Sequence, residues 1–116
     1  MIGRLTGQRA FSRLRDEGSR RGRGPIRLVV RSDTSQEPRF AFAIPRSVGT
    51  AVARNRTKRR LRAVLVDLDR TSSGFLGGDH LIRVTAPIND WSYATLRTTM
   101  ATLLLPDTSA LDGDRR

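Results

Sequence analysis

Ten consecutive residues, Ala53-Arg54-Asn55-Arg56-Thr57-Lys58-Arg59-Arg60-Leu61-Arg62, hold six cations and no acid. The spacing predicts a helix over about Thr50 to Asp69, with Ala53, Thr57, Leu61, Val64, Leu65 and Leu68 on one face. Opposite that face, Asn55, Arg59 and Arg62 fall at i, i+4 and i+7, flanked by Arg56. Arg54, Lys58 and Arg60 border the apolar stripe, where a long stem lies along the stripe and the charged head reaches outward. A rigid ladder of guanidinium groups is phosphate-gripping chemistry, because each planar fork matches two phosphate oxygens. Left in water, like charges one turn apart cost a helix roughly a few tenths of a kcal/mol per pair. Solvated helix faces ordinarily mix signs, so three turns of one sign point to a polyanion.

Little else in the chain can do chemistry. His80 is the only histidine, sits in a strand pattern, and reads as structural. Asp67, Asp69, Asp79 and Asp90 are scattered without metal-ligand spacing. Asp67 and Asp69, two apart, diverge on a helix and read as solvating its end. Gly74-Phe-Leu-Gly77-Gly78 lacks the lysine of a phosphate-binding loop, and Trp91 and Tyr93 read as packing residues at a helix start. Cysteine is absent, which removes thiolate nucleophiles, disulfides and cysteine-based zinc sites. A self-contained nuclease needs a positioned acid and base or metal-binding carboxylates, and the sequence offers neither.

The 116 residues carry a net charge of +11, with a sequence pI near 11.8. Such an excess favours nucleic acid as partner, with an anionic membrane surface second. Residues 1–62 hold 17 basic and 4 acidic side chains, a net of +13. Residues 63–116 hold 5 basic and 7 acidic, a net of −2. The binding surface therefore belongs to the first half and the scaffold to the second. The longest apolar stretches, Leu28-Val29-Val30 and Leu103-Leu104-Leu105, are far short of the roughly 20 residues that span a bilayer. With no secretory pattern at the start, the expectation is a cytoplasmic protein.

The elements that must hold this helix can be read in outline. Residues 1–7 read as a flexible basic arm, 8–105 as one domain and 106–116 as a disordered tail. Gln8 to Glu17 is helical in pattern, with Ala10, Phe11 and Leu14 together and Gly18 as its stop. Ser19 to Gly24 reads as a basic loop. Pro25 to Arg31 alternates, with Ile26, Leu28 and Val30 on one face and Arg27, Val29 and Arg31 on the other. Arg39 to Pro45 alternates too, Phe40, Phe42 and Ile44 against Ala41 and Ala43. These two runs predict an antiparallel hairpin. His80 to Thr85 is a short strand, and a helix capped by Ser92 runs to about Leu105, with Leu96, Met100 and Leu103 inward. The class is a single α+β domain with three visible strands.

The run Val48-Gly49-Thr50-Ala51-Val52-Ala53-Arg54-Asn55-Arg56-Thr57-Lys58-Arg59-Arg60-Leu61-Arg62 resembles the signature of the bacterial ribonuclease P protein component family: a Val-Gly, a short apolar link, then Arg-Asn-Arg-x-Lys-Arg and a further Arg. Phe11 in the first helix, Arg39-Phe-Ala-Phe-Ala-Ile44, Asp79-His-Leu-Ile-Arg-Val-Thr-Ala-Pro87 and the helix opened by Ser92-Tyr93 are similar to the family in order, over about residues 5–105.

The resemblance implies a sheet of about four strands with helices packed on one face, similar to a ribosomal-protein-like domain, and a left-handed βαβ crossover carrying the Arg-Asn-Arg helix. General statistics favour the right-handed form, so that detail comes from the family alone. It implies a non-catalytic subunit that pairs with ribonuclease P RNA to remove the 5′ leader of precursor tRNA. Mg²⁺ would be held by the RNA and none tightly by the protein, with no membrane or DNA partner. Arg46, Arg54, Asn55, Arg56, Lys58, Arg59, Arg60 and Arg62 would meet the catalytic RNA. Phe11, Arg15, Arg27, Val29, Arg31 and Arg39 would line a cleft for the single-stranded leader. Arg15 and Val29 stand where many members carry aromatics, and a guanidinium can also stack on a base. The alternative is a general or ribosomal RNA-binding protein without a nuclease role, which shares the charge but does not require Val-Gly before Arg-Asn-Arg-x-Lys-Arg.

Overall fold

Alternation in the first half and helical spacing in the second set up a mixed sheet with helices against it. The computed structural model describes residues 3–71 and 75–105. In chain order these are β1 (Gly3–Arg4), α1 (Gln8–Glu17), β2 (Ser19–Arg23), β3 (Ile26–Ser32), β4 (Pro38–Ala43), a short 3₁₀ turn (Arg46–Val48), α2 (Ala51–Thr71), β5 (Gly78–Val84) and α3 (Tyr93–Leu104). The five strands lie in the order β1-β4-β5-β3-β2. The tail expected over 106–116 lies outside the described residues.

The larger core fills one face of the sheet. Ile26, Leu28, Val30, Phe40, Ile82 and Val84 meet Leu61, Val64, Leu65 and Leu68 of α2 and Leu96, Met100, Leu103 and Leu104 of α3. The apolar stripe expected of the long helix is thus its buried side, with Thr57 buried as well and donating to Asn89 Oδ1 at 3.0 Å. Thr50 caps α2, its Oγ1 accepting from the Ala53 amide at 3.1 Å, and Ser92 caps α3 as expected, accepting from the Thr95 amide. The helices do not all share that face. On the opposite one, Leu14 of α1 clusters with Val29 and Leu5, with Ala10, Phe11, Ala41 and Leu81 packed against them.

Three other expectations change. The runs expected to form a hairpin do not pair; β5 lies between them, antiparallel to β3 and parallel to β4. Neighbouring strands in sequence usually pair, but here the 33–37 turn arches over the start of β5, with the Asp33 amide donating to Gly77 O at 3.0 Å. Glycines make that passage possible. A Cβ on Gly77 would sit 2.2 Å from Gln36 O, and one on Gly78 2.2 Å from Arg31 O. The supposed loop over 19–24 is strand β2, fully exposed and paired with β3. It hides from pattern reading because an edge strand of polar residues has no buried face to alternate. Gly24, at φ +60, opens its two-residue turn. The supposed arm pairs Gly3 and Arg4 with Arg39 and Phe40, and Leu5, which follows them, is buried at 3% exposure. The β4–α2–β5 passage is the crossover between adjacent parallel strands.

Candidate nucleic-acid interface

Over its first three turns, residues 51–62, α2 carries no acid. Asn55, Arg56, Arg59 and Arg62 are exposed along it, and among the described residues no ion pair engages these arginines. Arg62 lies over the Phe42 ring, 5.7 Å from its centroid, which fixes the guanidinium without neutralising it. Lys58 stands on the flank facing β4, with Arg54, Asn55, Phe42 and Ile44 around a shallow hollow. Arg54 is partly tied down, its Nε donating to Gly49 O at 3.2 Å, and Arg46 is exposed in the 3₁₀ turn that leads into the helix.

Arg60 departs from the outward reach expected of it. Its guanidinium turns inward, donating to Ile88 O at 3.2 Å, to Asn89 O at 3.4 Å and to Trp91 O. It therefore ties α2 to the loop between β5 and α3. Asp67 likewise does more than solvate a helix end. It accepts from Arg97 Nε at 2.9 Å and from the Tyr93 hydroxyl at 3.1 Å, joining α2 to α3. The Arg97 hydrogen bond holds the Asp67 carboxyl below its ordinary range. Tyr93 is exposed rather than packed, and its desolvation, with the Asp67 contact, raises its hydroxyl.

The second basic surface is the sheet face that α1 partly covers. Strand register arranges it in rows. Arg31, Asp79 and Arg39 form one row, Arg20, Val29, Leu81 and Ala41 the next, and Gly22, Arg27, Arg83 and Ala43 the third. The first row is neutralised. Arg31 Nε bonds Glu17 Oε1 at 2.9 Å, which raises the Arg31 guanidinium further, and Arg39 Nη2 lies 2.7 Å from the buried Asp79 carboxylate. The middle row is the floor below Phe11, in a cavity of about 230 Å³ that also touches Arg15, Arg20 and Arg83. Phe11 and Val29 are thus together as expected, and Arg15 is exposed on the rim, with only a long 3.9 Å pairing to Asp16. Arg31 and Arg39 belong to the neutralised row, away from the open one. Arg20 and Arg83, absent from the residues singled out by sequence, stand beside Arg27; only the register that sets Arg83 against Arg27 reveals them.

The two surfaces meet at the edge of β4. Because β1 pairs only with Arg39 and Phe40, the rest of that edge opens into a hollow of about 300 Å³, lined by Thr6, Gly7, Phe11 and Ala41 on one side and Lys58 and Arg62 on the other. His80 takes no part. It is buried against Phe40, with ring centroids 4.5 Å apart, and burial holds its imidazole below the ordinary value. Among the described residues, no helix is long and apolar enough to cross a membrane, and no three of His, Asp and Glu come together to hold a metal ion.

A model of the family described as Ribonuclease P matches residues 3–106. The chain belongs to the Ribonuclease P family. Over 93 residues it is 39% identical to a ribonuclease P protein component of Thermus scotoductus, covering 79% of this chain and 52% of that relative. A ribonuclease P protein component of Kocuria rhizophila is 35% identical over 77 residues, covering 66% of each. The chain spans about half the length of the T. scotoductus relative. The solved RNase P protein from Thermotoga maritima shares the fold, with TM-score 0.73 at 22% identity, over 87% of this chain and 94% of that one. Of the Arg-Asn-Arg-x-Lys-Arg run, Asn55, Arg56 and Arg59 lie on the exposed face of α2, while Arg54 is tied to Gly49 O.

Proposed function

We propose that this protein is the protein subunit of ribonuclease P, binding the catalytic RNA along α2 and the 5′ leader of precursor tRNA on the α1-covered sheet face. The observation that carries this reading is the acid-free row of Arg56, Arg59 and Arg62, held rigid by a helix whose other side is core. Each guanidinium there releases condensed counterions when it meets a phosphate. On the sheet face, Phe11 over Val29 and Leu81 offers one unpaired base a stacking surface beside free arginines.

The chemistry then belongs to the RNA and its Mg²⁺. Among the described residues, the protein side brings no cluster of carboxylates to compete for that ion. Its share is electrostatic, lowering the Mg²⁺ the folded RNA needs and tightening the hold on substrate, in a cytoplasmic ribonucleoprotein. The test compares cleavage of precursor tRNA by the RNA alone and with the protein at low Mg²⁺. Higher cleavage or tighter substrate binding with protein is expected. Equal rates and equal affinity refute the proposal, and recovery of only ribosomal RNA with protein purified from its host favours the general RNA-binding alternative.

A further inference from the structure

The third row of the α1-side sheet face sets two arginines opposite one another with no acid in the row. Arg27 and Arg83 are direct cross-strand partners on β3 and β5, and both are exposed. Side chains so placed start about 5 Å apart, and like charges directly opposite repel. Among the described residues no ion pair neutralises either. The acids on this face are spent two rows away, Glu17 on Arg31 and Asp79 on Arg39. Two rows are about 13 Å along a strand, beyond the roughly 8 Å screening length at physiological salt.

The surroundings favour an anion. A cavity of about 460 Å³ lies over this row, lined by Arg20, Gly22, Arg27, Arg83 and Thr85. It shares Arg20, Val29 and Arg83 with the smaller cavity beside Phe11. The row's ends are Gly22 and Ala43, so the backbone floor is low. Arg27 exploits this, lying across Gly22 so closely that a Cβ there would be 2.2 Å from its Nη1. An apolar floor suited to a base thus sits one pleat, about 7 Å, from a guanidinium pair suited to a phosphate.

We propose that Arg27 and Arg83, with Arg20 beside them, form a clamp for one phosphodiester of single-stranded RNA whose neighbouring base rests against Phe11. This rests on the leader-binding reading and assigns it a specific grip. Arg27 leans across Gly22 of β2, away from Arg83 on β5, so the two guanidiniums stand to either side of the row and a phosphate between them draws both onto one anion.

The test uses the reconstituted ribonucleoprotein with precursor and mature tRNA, comparing wild type, Arg27→Ala, Arg83→Ala, the double variant and Phe11→Ala. Arg83→Ala is expected to weaken precursor binding about tenfold, the scale of one charge-assisted contact. Mature tRNA binding should hold, and the salt slope for precursor should fall by about 0.7. The free variant should melt no lower than wild type, since Arg83 is exposed and holds no ion pair among the described residues. A methylphosphonate scanned along the leader should cost wild type affinity at one position and cost the double variant nothing there. If Arg83→Ala and Arg27→Ala bind precursor like wild type while Phe11→Ala does not, the clamp is wrong and the leader reading stands. If no variant separates precursor from mature tRNA, the leader reading falls with it. A lower melting temperature for Arg83→Ala overturns the proposal by making the residue structural.

Discussion

Arg59 and Arg60 are neighbours of identical type on one helix, yet their surroundings predict opposite consequences of removal. Arg59 is exposed, with Arg56 and Arg62 one turn to either side and no acid to neutralise it. Arg59→Ala removes two like-charge neighbours, each costing a few tenths of a kcal/mol, so the melting temperature should hold or rise slightly. Binding to ribonuclease P RNA should lose one phosphate contact, lowering the logarithmic salt slope by about 0.7 to 0.9. Over a fourfold rise in salt, wild type should then weaken about threefold more than the variant. Arg60 instead donates to the carbonyls of Ile88, Asn89 and Trp91. Arg60→Ala strands those acceptors at a partly buried junction. A charged hydrogen bond is worth about 1.5–3 kcal/mol, and water entering the vacated space recovers part, leaving a loss of about 2 kcal/mol. For a domain of this size that is about 10 °C in Tm, with the salt slope intact. Arg60→Lys should recover less than half, because a point charge replaces a fork. Calorimetry of the free proteins and salt-titrated binding decide it. Should Arg60→Ala flatten the slope while Arg59→Ala lowers Tm, the division of α2 into a contact face and a scaffold face is wrong.

Gly78 has φ +109 and no room for a Cβ beside Arg31 O and Asp33 N, both backbone atoms. Gly78→Ala should cost about 3 kcal/mol or more, seen as a Tm drop beyond about 10 °C; a small change would mean the turn over β5 is loose. His80 is buried and holds its imidazole neutral below the ordinary 6.5. The unfolded chain therefore binds a proton that the native state refuses, and stability falls as pH drops below about 6.5, by at most about 1.4 kcal/mol per pH unit. His80→Phe keeps the stack on Phe40 and should flatten urea-derived stability between about pH 6.5 and 5.5; an unchanged profile assigns the slope elsewhere. Phe11→Ala should weaken precursor tRNA binding severalfold more than mature tRNA binding, about 1 kcal/mol of stacking, and equal losses would make Phe11 core alone.

Much of the architecture was legible because burial leaves a period. The stripe from Thr57 to Leu68, the alternation of Ile26, Leu28 and Val30, and the Ser92 cap each carry their own signal, and the structure uses them as expected. What failed to show was pairing without burial. Strand β2 holds five exposed residues joined by backbone bonds, and β1 is two residues anchored by one leucine, so neither has a period to read. The insertion of β5 between β3 and β4 depends on a glycine pair whose purpose appears only when the 33–37 turn is seen above it. On the site, the exposed face of α2 followed from helical spacing. The inward turn of Arg60 did not, since a residue on the border of a stripe can reach either way and the loop carbonyls decide which. Arg83 stayed hidden for a related reason: alone in its strand it is one charge, and register makes it half of a pair.

The placement of the acids, more than that of the arginines, decides where this protein is positive. Glu17 takes Arg31 across α1 and β3, Asp79 takes Arg39 across β5 and β4, and Asp67 takes Arg97 across α2 and α3. Each of these carboxylates stitches two elements and, in doing so, cancels an arginine that serves the scaffold. None pairs with Arg56, Arg59 or Arg62 on the outer face of α2 or with Arg27 and Arg83, and the row of Arg27 and Arg83 lies about 13 Å along the sheet from the nearest cancelled pair, beyond the screening length. Of the exposed arginines, those on the outer face of α2 and in the row of Arg27 and Arg83 form two groups with no acid paired to them among the described residues. The hollow at the β4 edge, between Thr6 and Gly7 on one side and Lys58 and Arg62 on the other, joins them with no acidic residue in its lining. A phosphate backbone leaving α2 can cross to the sheet face without meeting a like charge, which is what one protein needs if it is to hold two RNA segments in fixed relation.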